Sequence, residues 1–235
     1  MRLLLFSNST NAGEEYLSYT IPYIQDFLKS KKVNGIFVPY AGISPGFDNY
    51  FRLVSEKLSG TGIRLESLHN AKSPKEALVK SELVIVGGGN TFCLLRSLQD
   101  YGLMDIMKKK IEEGTPYIGW SAGSNLACPT IKTTNDMPVA EPRNFNALNI
   151  IPFQINPHYT DFVPEGHAGE TRDMRINEFL KINPDIAVAG LREGTLFRVD
   201  GPKLTLKGPK SCKIFNYGKD PYEVLPDENL DFLLQ

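Results

Sequence analysis

The chain has few of the residues that build a disulfide framework or a histidine-rich metal site. Its 235 residues include three histidines and three cysteines, Cys93, Cys128 and Cys212. The cysteines are odd in number and form no C-x-x-C pair, so we expect reduced thiols and a cytoplasmic location. Three histidines do not favour a histidine-based metal site, and we expect neither a metal ion nor an organic cofactor.

The chain also lacks an excess of charge of either sign and any long apolar run. Lys and Arg number 26 against 27 Asp and Glu, which gives a formal net charge of −1. We therefore expect neither nucleic acid nor a membrane surface as a partner. The apolar runs are shorter than the roughly 20 residues that a membrane-spanning helix needs. The first run, within residues 1–7, predicts a buried strand and lacks the length and cleavage site of a signal peptide.

The first half of the chain alternates short apolar runs with amphipathic stretches. Nearly continuous apolar runs occupy residues 3–6, 35–38 and 83–86. Such runs are typical of strands that are buried on both faces of a parallel sheet. Between them, apolar residues at helical spacing predict helices over residues 15–28 and 48–58. This alternation predicts βαβ units and therefore a doubly wound, mostly parallel α/β sheet with helices on both faces.

The pattern changes in the second half of the chain. Residues 133–149 are rich in Asn, Pro and Asp and predict a long loop, a kind of segment that is more often functional than decorative. After Asp185, short runs punctuated by glycine predict C-terminal antiparallel hairpins that complete the sheet. These runs are residues 186–189, 195–199, 204–206 and 212–215. We find no repeat or linker and expect a single domain over residues 1–235.

The most informative motif is the G-x-S-x-G run at residues 119–123, which lies between a strand-like segment and a helix-compatible one. In that context the motif predicts a nucleophile elbow, a turn so tight that glycines must flank the serine. The turn exposes the Ser121 hydroxyl at a helix N-terminus, where N–H groups and the helix dipole favour developing negative charge. Ser121 is therefore the candidate nucleophile of a serine hydrolase.

A serine hydroxyl is a weak nucleophile until a neighbouring base takes its proton. His158 follows a predicted strand over residues 152–155, and catalytic side chains gather at the carboxyl ends of strands in parallel α/β folds. We therefore favour His158 as the general base. His69 also follows a strand but precedes the nucleophile, and His167 lies in a loop near enough to touch a substrate.

The base in turn needs an acid that holds its tautomer and stabilises the imidazolium. Asp136 lies between the nucleophile and the base in the sequence, and Glu193 follows a predicted strand over residues 186–190. The alternative for either side chain is a loop carboxylate that makes turn hydrogen bonds. The residues alone leave Asp136 and Glu193 as alternative triad acids.

A Gly-Gly-Gly run at residues 87–89 follows a predicted strand and precedes a helix that begins near Thr91. Glycines allow backbone N–H groups to point into a cleft at a helix N-terminus. The run matches neither the G-x-x-x-x-G-K-[ST] nor the G-x-G-x-x-G phosphate-binding motif. Beside a serine elbow it favours an oxyanion hole, in which the Gly89 N–H joins that of Ala122. A purely structural turn is the alternative.

A series of longer motifs extends along nearly the whole chain. In order they are LLFSNST at 4–10, VGGGNTF at 86–92, YIGWSAG at 117–123, NLACPTI at 125–131, TTNDMP at 133–138, QINPH at 154–158, PEGH at 164–167 and GETR at 169–172. In these motifs the chain resembles the peptidase E family of cytosolic α-aspartyl dipeptidases. The resemblance implies a class I glutamine amidotransferase-like fold in which serine replaces the cysteine nucleophile.

The resemblance also implies a reaction, the hydrolysis of Asp-X dipeptides through an acyl-enzyme. By motif, Ser121 matches the family's nucleophile and His158 its base. The family's third triad member has been assigned to the positions of both Asp136 and Glu193, so the two alternatives stay open. A related hydrolase acting on β-aspartyl or other acidic substrates is a second hypothesis, and a non-catalytic binder of acidic peptides is a third.

An acidic dipeptide substrate requires a cation for its β-carboxylate, ideally a bidentate arginine. The candidates are Arg172, which lies within a motif of the resembled family, and Arg175. Glu170 is a candidate for binding the substrate ammonium group, and His167 is a candidate substrate contact. Both a monomer and a homodimer are compatible with the sequence.

Overall fold

The computed structural model of the chain describes residues 1–166 and 168–235. In chain order its strands are β1 (Arg2–Phe6), β2 (Val33–Val38), β3 (Ile63–Ser67), β4 (Leu83–Val86), β5 (Tyr117–Trp120), β6 (Gln154–Tyr159), β7 (Val188–Arg192), β8 (Leu196–Asp200), β9 (Lys203–Lys207), β10 (Cys212–Phe215) and β11 (Tyr222–Val224). Its α-helices are α1 (Ile21–Leu28), α2 (Phe47–Leu58), α3 (Pro74–Lys80), α4 (Thr91–Asp100), α5 (Met104–Glu112), α6 (Ala122–Ala127) and α7 (Arg172–Ile182). Short 3-10 turns lie at Ser18–Thr20, Leu68–Asn70 and Asp231–Leu234.

Two sheets organise these strands. The central sheet has seven strands in the order β3-β2-β4-β5-β1-β8-β9. Its strands from β3 to β1 run parallel, whereas β8 and β9 form an antiparallel hairpin at the edge of β1. A second sheet of four strands has the order β11-β10-β7-β6, and only β6 and β7 are parallel in it. The doubly wound, mostly parallel α/β fold that the sequence predicts is confirmed.

The central sheet is buried on both faces, which explains why its strands are almost continuously apolar. Successive strand residues point to opposite faces, and in β1 Leu3 and Leu5 enter one core cluster while Leu4 and Phe6 enter the other. Helices α1 and α2 cover the face that carries Leu4, and α3 to α6 cover the opposite face. The helices therefore lie on both sides of the sheet.

The first helix is shorter than the periodicity predicts. We expect a helix over residues 15–28, but α1 begins only at Ile21, and Leu17 has a left-handed φ of 59°. Pro22 explains the difference, because proline has no N–H to donate and its ring clashes with the carbonyl four residues earlier. A helix tolerates proline in its first turn, which is where α1 places Pro22.

The C-terminal runs form hairpins, but they are divided between the two sheets. β8 and β9 form the predicted antiparallel hairpin on the central sheet, where β8 covers the otherwise open edge of β1. The runs that become β7 and β10 instead pair with each other in the second sheet, and β7 also pairs with β6 in parallel. The second sheet arises because the segment at residues 154–159 offers β7 a parallel partner that the sequence pattern does not reveal.

Strand direction determines where the site lies. The neighbouring strands β4, β5 and β1 are parallel, so their carboxyl ends meet at one edge of the sheet. Gly87, Ser121 and Ser7 directly follow these three strands. The predicted loop at 133–149 contains no helix and no named strand, as expected. Within residues 1–166 and 168–235, no helix combines the length and the apolar character needed to cross a membrane.

Candidate active site

The turn between β5 and α6 consists of a single residue, Ser121. Its backbone has φ 52° and ψ −111°. Such sparsely populated conformations cost on the order of 1–3 kcal/mol and persist only where the surroundings hold them. Here the Ser121 N–H donates to the Phe6 carbonyl at 3.1 Å, and the Ser121 carbonyl accepts from the N–H of Asn125 at 3.0 Å. The elbow is thus fixed by β1 on one side and by α6 on the other.

Both flanking glycines are required by close backbone contacts. A Cβ atom on Gly119 would lie 2.6 Å from the carbonyl carbon of Gly123. A Cβ atom on Gly123 would lie 2.3 Å from the carbonyl oxygen of Val86, the last residue of β4. Any larger residue at these positions would push α6 away from the carboxyl ends of β4 and β5. The glycines therefore keep the start of α6, and with it Ser121, against the sheet.

Ser121, His158 and Glu193 form a continuous chain of hydrogen bonds. The distance from Ser121 Oγ to His158 Nε2 is 2.8 Å. On the other side of the imidazole, His158 Nδ1 lies 2.7 Å from Glu193 Oε1. This order allows Nδ1–H to donate to the carboxylate while Nε2 accepts the serine hydroxyl proton. The structure thus brings together three of the residues that the sequence singles out.

The backbone of His158 is held by Ser7, which directly follows β1 of the central sheet. His158 has a left-handed φ of 53° and lies at an irregularity in the pairing of β6 with β7. Its backbone N–H donates to Ser7 Oγ at 2.9 Å, and the Ser7 hydroxyl donates to the Leu191 carbonyl at 2.7 Å. One buried hydroxyl therefore links β1 to the backbone of the base and to the strand that precedes Glu193.

Asp136, the other candidate acid, has different partners. Its Oδ2 accepts from the Thr91 N–H at 2.7 Å, from the Thr91 hydroxyl and from the Thr134 hydroxyl at 2.9 Å. Thr91 is the first residue of α4, so the carboxylate lies at a helix N-terminus, where negative charge is favoured. Within the described part of the chain, no hydrogen bond joins Asp136 to His158, although both side chains line one cleft.

This cleft has a volume of about 530 Å³, and Gly89, one of the two residues predicted to form an oxyanion hole, lines it. Gly88 and Gly89 line it together with Ser121 and His158. Gly89 has φ 128°, and a Cβ atom there would lie 2.2 Å from the Ala41 carbonyl oxygen, so only glycine fits. Among the described residues, the N–H groups of Gly88 and Gly89 have no hydrogen-bond acceptor.

Ala122 is the second residue predicted to donate to an oxyanion. It is the first residue of α6, and the first N–H groups of a helix have no acceptor within the helix. The Ala122 N–H therefore lies directly after the nucleophile, at the positive end of the α6 dipole. Gly88 packs directly against the elbow, since a Cβ atom at Gly88 would lie only 3.1 Å from the Ser121 Cβ.

Among the described residues, the predicted substrate contacts Arg172, Arg175 and Glu170 do not line this cleft. Arg172, the first residue of α7, is half-buried and, among the described residues, forms no salt bridge; burial, followed by the charge of Arg175, lowers its pKa. Arg175 instead pairs with Glu170 at 3.6 Å on the surface. Arg172 lines a neighbouring pocket together with Asp136, which borders both spaces. The predicted contact His167 lies outside the described residues.

His69 has its own serine and aspartate neighbours. Its Nδ1 lies 2.6 Å from Ser67 Oγ, and its Nε2 lies 2.9 Å from Asp48 Oδ1. This group lies at the end of β3, the edge strand of the central sheet, three positions from β5 in the strand order. His69 is thus remote from the Ser121 elbow.

Several residues of the site were missed by sequence reasoning. Ser7 and Asn8 directly follow β1, and Asn8 Oδ1 accepts the Gly194 N–H at 2.9 Å beside Glu193. The sequence feature that could have indicated Ser7 and Asn8 is that they are two small polar residues at the carboxyl end of a central strand. Tyr50, on α2, reaches the glycine loop and carries no local signal. Within the described ranges, no cluster of three or more His, Cys, Asp or Glu side chains is arranged to hold a metal ion.

A hydrogen-bonded serine, histidine and carboxylate at the carboxyl ends of parallel strands is the arrangement of α/β serine hydrolases. Comparison with protein families agrees with this class. The model of Peptidase family S51 matches residues 3–207. The chain belongs to peptidase family S51.

Named relatives cover almost the full chain. A protein named Peptidase E from a Nostoc species is 47% identical over 234 residues, which are 100% of this chain and 97% of the relative. Peptidase E from Salmonella typhimurium is 44% identical over 220 residues, 94% of this chain and 96% of the relative. The resemblance to the peptidase E family is thereby confirmed.

Solved structures share the fold at lower identity. A putative peptidase E protein from Listeria monocytogenes has a TM-score of 0.66 at 21% identity and covers 89% of this chain and 98% of its own. A peptidase from an acI-B1 actinobacterium has a TM-score of 0.70 at 16% identity, with 97% and 96% coverage. At these identities the likeness concerns the fold, which fits the expected class I glutamine amidotransferase-like architecture.

Proposed function

We propose that the protein is a serine dipeptidase that hydrolyses Asp-X dipeptides through an acyl-enzyme. The observation that carries this proposal is the hydrogen-bond chain from Ser121 Oγ through His158 to Glu193, with distances of 2.8 Å and 2.7 Å. Membership of peptidase family S51 and the relatives named Peptidase E support peptide hydrolysis as the reaction.

In the proposed acylation step, Ser121 Oγ attacks the aspartyl carbonyl carbon while His158 Nε2 takes the hydroxyl proton. The N–H groups of Gly89 and Ala122 donate to the oxyanion of the tetrahedral intermediate. The imidazolium then protonates the leaving nitrogen, and the amino acid X departs. A water molecule, deprotonated by His158, attacks the resulting ester and releases aspartate and free Ser121.

Glu193 is the proposed triad acid. Its carboxylate accepts the Nδ1–H of His158, which keeps Nε2 available for the serine proton and stabilises the imidazolium. Asp136 is left to its three bonds at the start of α4, which support that helix and the adjacent cleft wall. The geometry thus favours Glu193 over Asp136, the two acids that the sequence leaves open.

Arg172 remains the proposed cation for the substrate β-carboxylate. The chemistry of Arg172 supports this role. Its guanidinium is half-buried and has no salt-bridge partner in the described ranges, so it is suited to bind a carboxylate through two hydrogen bonds. Arg175 is less suited because Glu170 already pairs with it. Glu170 and His167 stay proposals for further substrate contacts.

The proposal extends to the whole chain. We infer one domain over residues 1–235, a cytoplasmic location and small acidic peptides rather than nucleic acid as partners. Free thiols at all three cysteines support a reducing compartment. The net charge of −1 gives no attraction to polyanions.

The test is hydrolysis of Asp-Leu by the wild type and by Ser121→Ala. We expect the variant to lose at least about 10⁴-fold in kcat, since removal of a triad nucleophile leaves only residual catalysis. Full turnover by the variant would exclude Ser121 as the nucleophile. A parallel panel of β-Asp, Glu and neutral dipeptides distinguishes an α-aspartyl dipeptidase from a related hydrolase with another substrate. Binding of Asp-Leu without product would identify a non-catalytic binder of acidic peptides.

A further inference from the structure

Tyr50 connects the buried core to the glycine loop of the cleft. The residue lies on α2 and is only 5% exposed. Its hydroxyl lies 3.0 Å from the Gly88 carbonyl oxygen, 3.1 Å from Trp120 Nε1 and 3.3 Å from the Tyr16 hydroxyl. Trp120 immediately precedes Ser121, so this one hydroxyl contacts the backbone of the glycine loop and the side chain next to the proposed nucleophile.

The direction of these hydrogen bonds follows from the groups involved. An indole N–H can only donate, whereas a tyrosine hydroxyl has one hydrogen and two acceptor sites. Trp120 and Tyr16 occupy the acceptor sites of Tyr50, so its single hydrogen points to the Gly88 carbonyl. Burial raises the pKa of Tyr50 well above its ordinary value, so the hydroxyl keeps this proton.

The bond to the Gly88 carbonyl orients the next N–H group. In a trans peptide the C=O of one residue and the N–H of the following residue point in opposite directions. When Tyr50 holds the Gly88 carbonyl towards the core, the Gly89 N–H must point away from the core. The Gly88–Gly89 peptide borders the cleft, which Ser121 and Tyr50 also line.

Gly42 and Gly87 pack so closely against Tyr50 that neither position has room for a side chain. A Cβ atom on Gly42 would lie 2.1 Å from a ring carbon of Tyr50, and one on Gly87 would lie 2.5 Å from its hydroxyl oxygen. Gly89 is required for its φ of 128° and its contact with Ala41. The first and last glycines of the Gly-Gly-Gly run therefore have separate roles. Gly87 leaves room for the Tyr50 hydroxyl, and Gly89 allows the turn that exposes its own N–H group.

We propose that Tyr50 is a positioning residue for the oxyanion hole, because it holds the Gly88–Gly89 peptide with the Gly89 N–H facing the substrate oxyanion. The proposal rests on the proposed function for its catalytic consequence, but the peptide orientation itself is independent of the substrate. A peptide between two glycines has little steric resistance to rotation. Without the Tyr50 hydroxyl, nothing in the described residues donates to the Gly88 carbonyl.

The test is Tyr50→Phe, which keeps the ring and removes only the hydroxyl. Loss of one oxyanion-hole donor costs about 10²–10³ in kcat, so we expect kcat for Asp-Leu to fall at least tenfold towards that limit. KM should change by less than about threefold, since ground-state binding does not use the donor. An aspartyl aldehyde, whose adduct with Ser121 carries the oxyanion, should lose affinity in parallel with kcat/KM, whereas the product aspartate should not.

Tyr40→Phe is the matched control. Tyr40 is also a buried tyrosine, with 1% exposure, but it packs on Phe47 and Tyr101 and does not line the cleft. Its variant should keep wild-type kcat. Equal losses in both variants, or an unchanged kcat and aldehyde affinity in Tyr50→Phe, would overturn the proposal.

A crystal structure of Tyr50→Phe separates this inference from the proposed function. A rotated or disordered Gly88–Gly89 peptide supports the positioning role even if the wild type does not hydrolyse Asp-Leu. An unchanged peptide, with its N–H still towards the cleft, contradicts the role whatever the substrate is.

Discussion

Asp136 and Glu193 both lie near His158, yet the two carboxylates are used in different ways. One oxygen of Asp136 accepts from the Thr91 N–H, the Thr91 hydroxyl and the Thr134 hydroxyl. Glu193 instead accepts from the imidazole Nδ1–H. The carboxylate of Asp136 is engaged at a helix N-terminus and stabilises that helix. The carboxylate of Glu193 lies in a turn that other residues hold in place, so it is free to accept a hydrogen bond from the imidazole.

The anchoring around Glu193 comes from the residues on either side of it. Arg192 pairs with Glu223 at 2.7 Å and with Asp161 at 2.9 Å, and the Gly194 N–H donates to Asn8 at 2.9 Å. These contacts fix the backbone of the turn without occupying the Glu193 carboxylate. The side chain can therefore hold the imidazole while it remains half-exposed.

Glu193→Gln is the change with the largest expected effect. An amide at this position cannot hold the productive histidine tautomer in the same way, and the equivalent change in a serine protease lowers kcat about 10⁴-fold. The unfolding free energy should change by less than about 0.5 kcal/mol, because the Glu193 side chain is half-exposed. The measurements are Asp-Leu kinetics and urea unfolding; an active variant would contradict the assignment.

Ser7→Ala tests whether His158 and the Glu193 turn share one anchor. The variant leaves the His158 N–H and the Leu191 carbonyl without their partner, and unsatisfied buried groups of this kind cost about 1–3 kcal/mol. We expect a matching loss of unfolding free energy together with a lower kcat. Ser81→Ala is the control, because its buried hydroxyl donates to Leu78 within α3, far from the cleft. A stable Ser7 variant with full activity would refute the shared anchor.

Asp136→Asn should have a smaller effect, and mainly on stability. The amide keeps one acceptor but loses the negative charge at the start of α4, which is worth about 0.3–1 kcal/mol. We expect urea unfolding to report a loss in this range. The His158 bond to Glu193 should be unaffected. A loss of that bond in the variant would mean that the roles of the two carboxylates are reversed.

Arg192→Met should have a similarly small effect on stability, and one that depends on pH. The hydrogen bonds and charge of Arg192 hold the pKa of Asp161 and of Glu223 below their ordinary values. A lowered carboxyl pKa contributes stability at higher pH, and this contribution is lost as the pH falls through the lowered value.

Because both carboxylates are partly exposed, we expect the Arg192 variant to lose about 1 kcal/mol at neutral pH. The difference from the wild type should shrink as the pH falls below about 4. Urea unfolding at several pH values measures this difference. A difference that grows on acidification would contradict the sign.

The fold and the turn around Ser121 can be predicted from the sequence because both depend on local patterns. Continuous apolar runs follow from burial on two faces, and the glycines around Ser121 follow from one tight turn. Sequence reasoning could not choose between the acids, because that choice depends on the parallel register of β6 with β7, which pairs Pro157 with Leu191 and Tyr159 with Arg192. The contact of Tyr50 with Gly88 could not be predicted either, because it depends on the tertiary packing of α2.

The central claim is that Glu193, rather than Asp136, holds the imidazole of His158. Proton NMR of protein with ¹⁵N-labelled histidine tests it directly, because an Nδ1–H that donates to a carboxylate gives a strongly deshielded resonance. We predict that this resonance is present in the wild type and in Asp136→Asn and absent from Glu193→Gln. A resonance that survives in Glu193→Gln and disappears in Asp136→Asn would contradict the account.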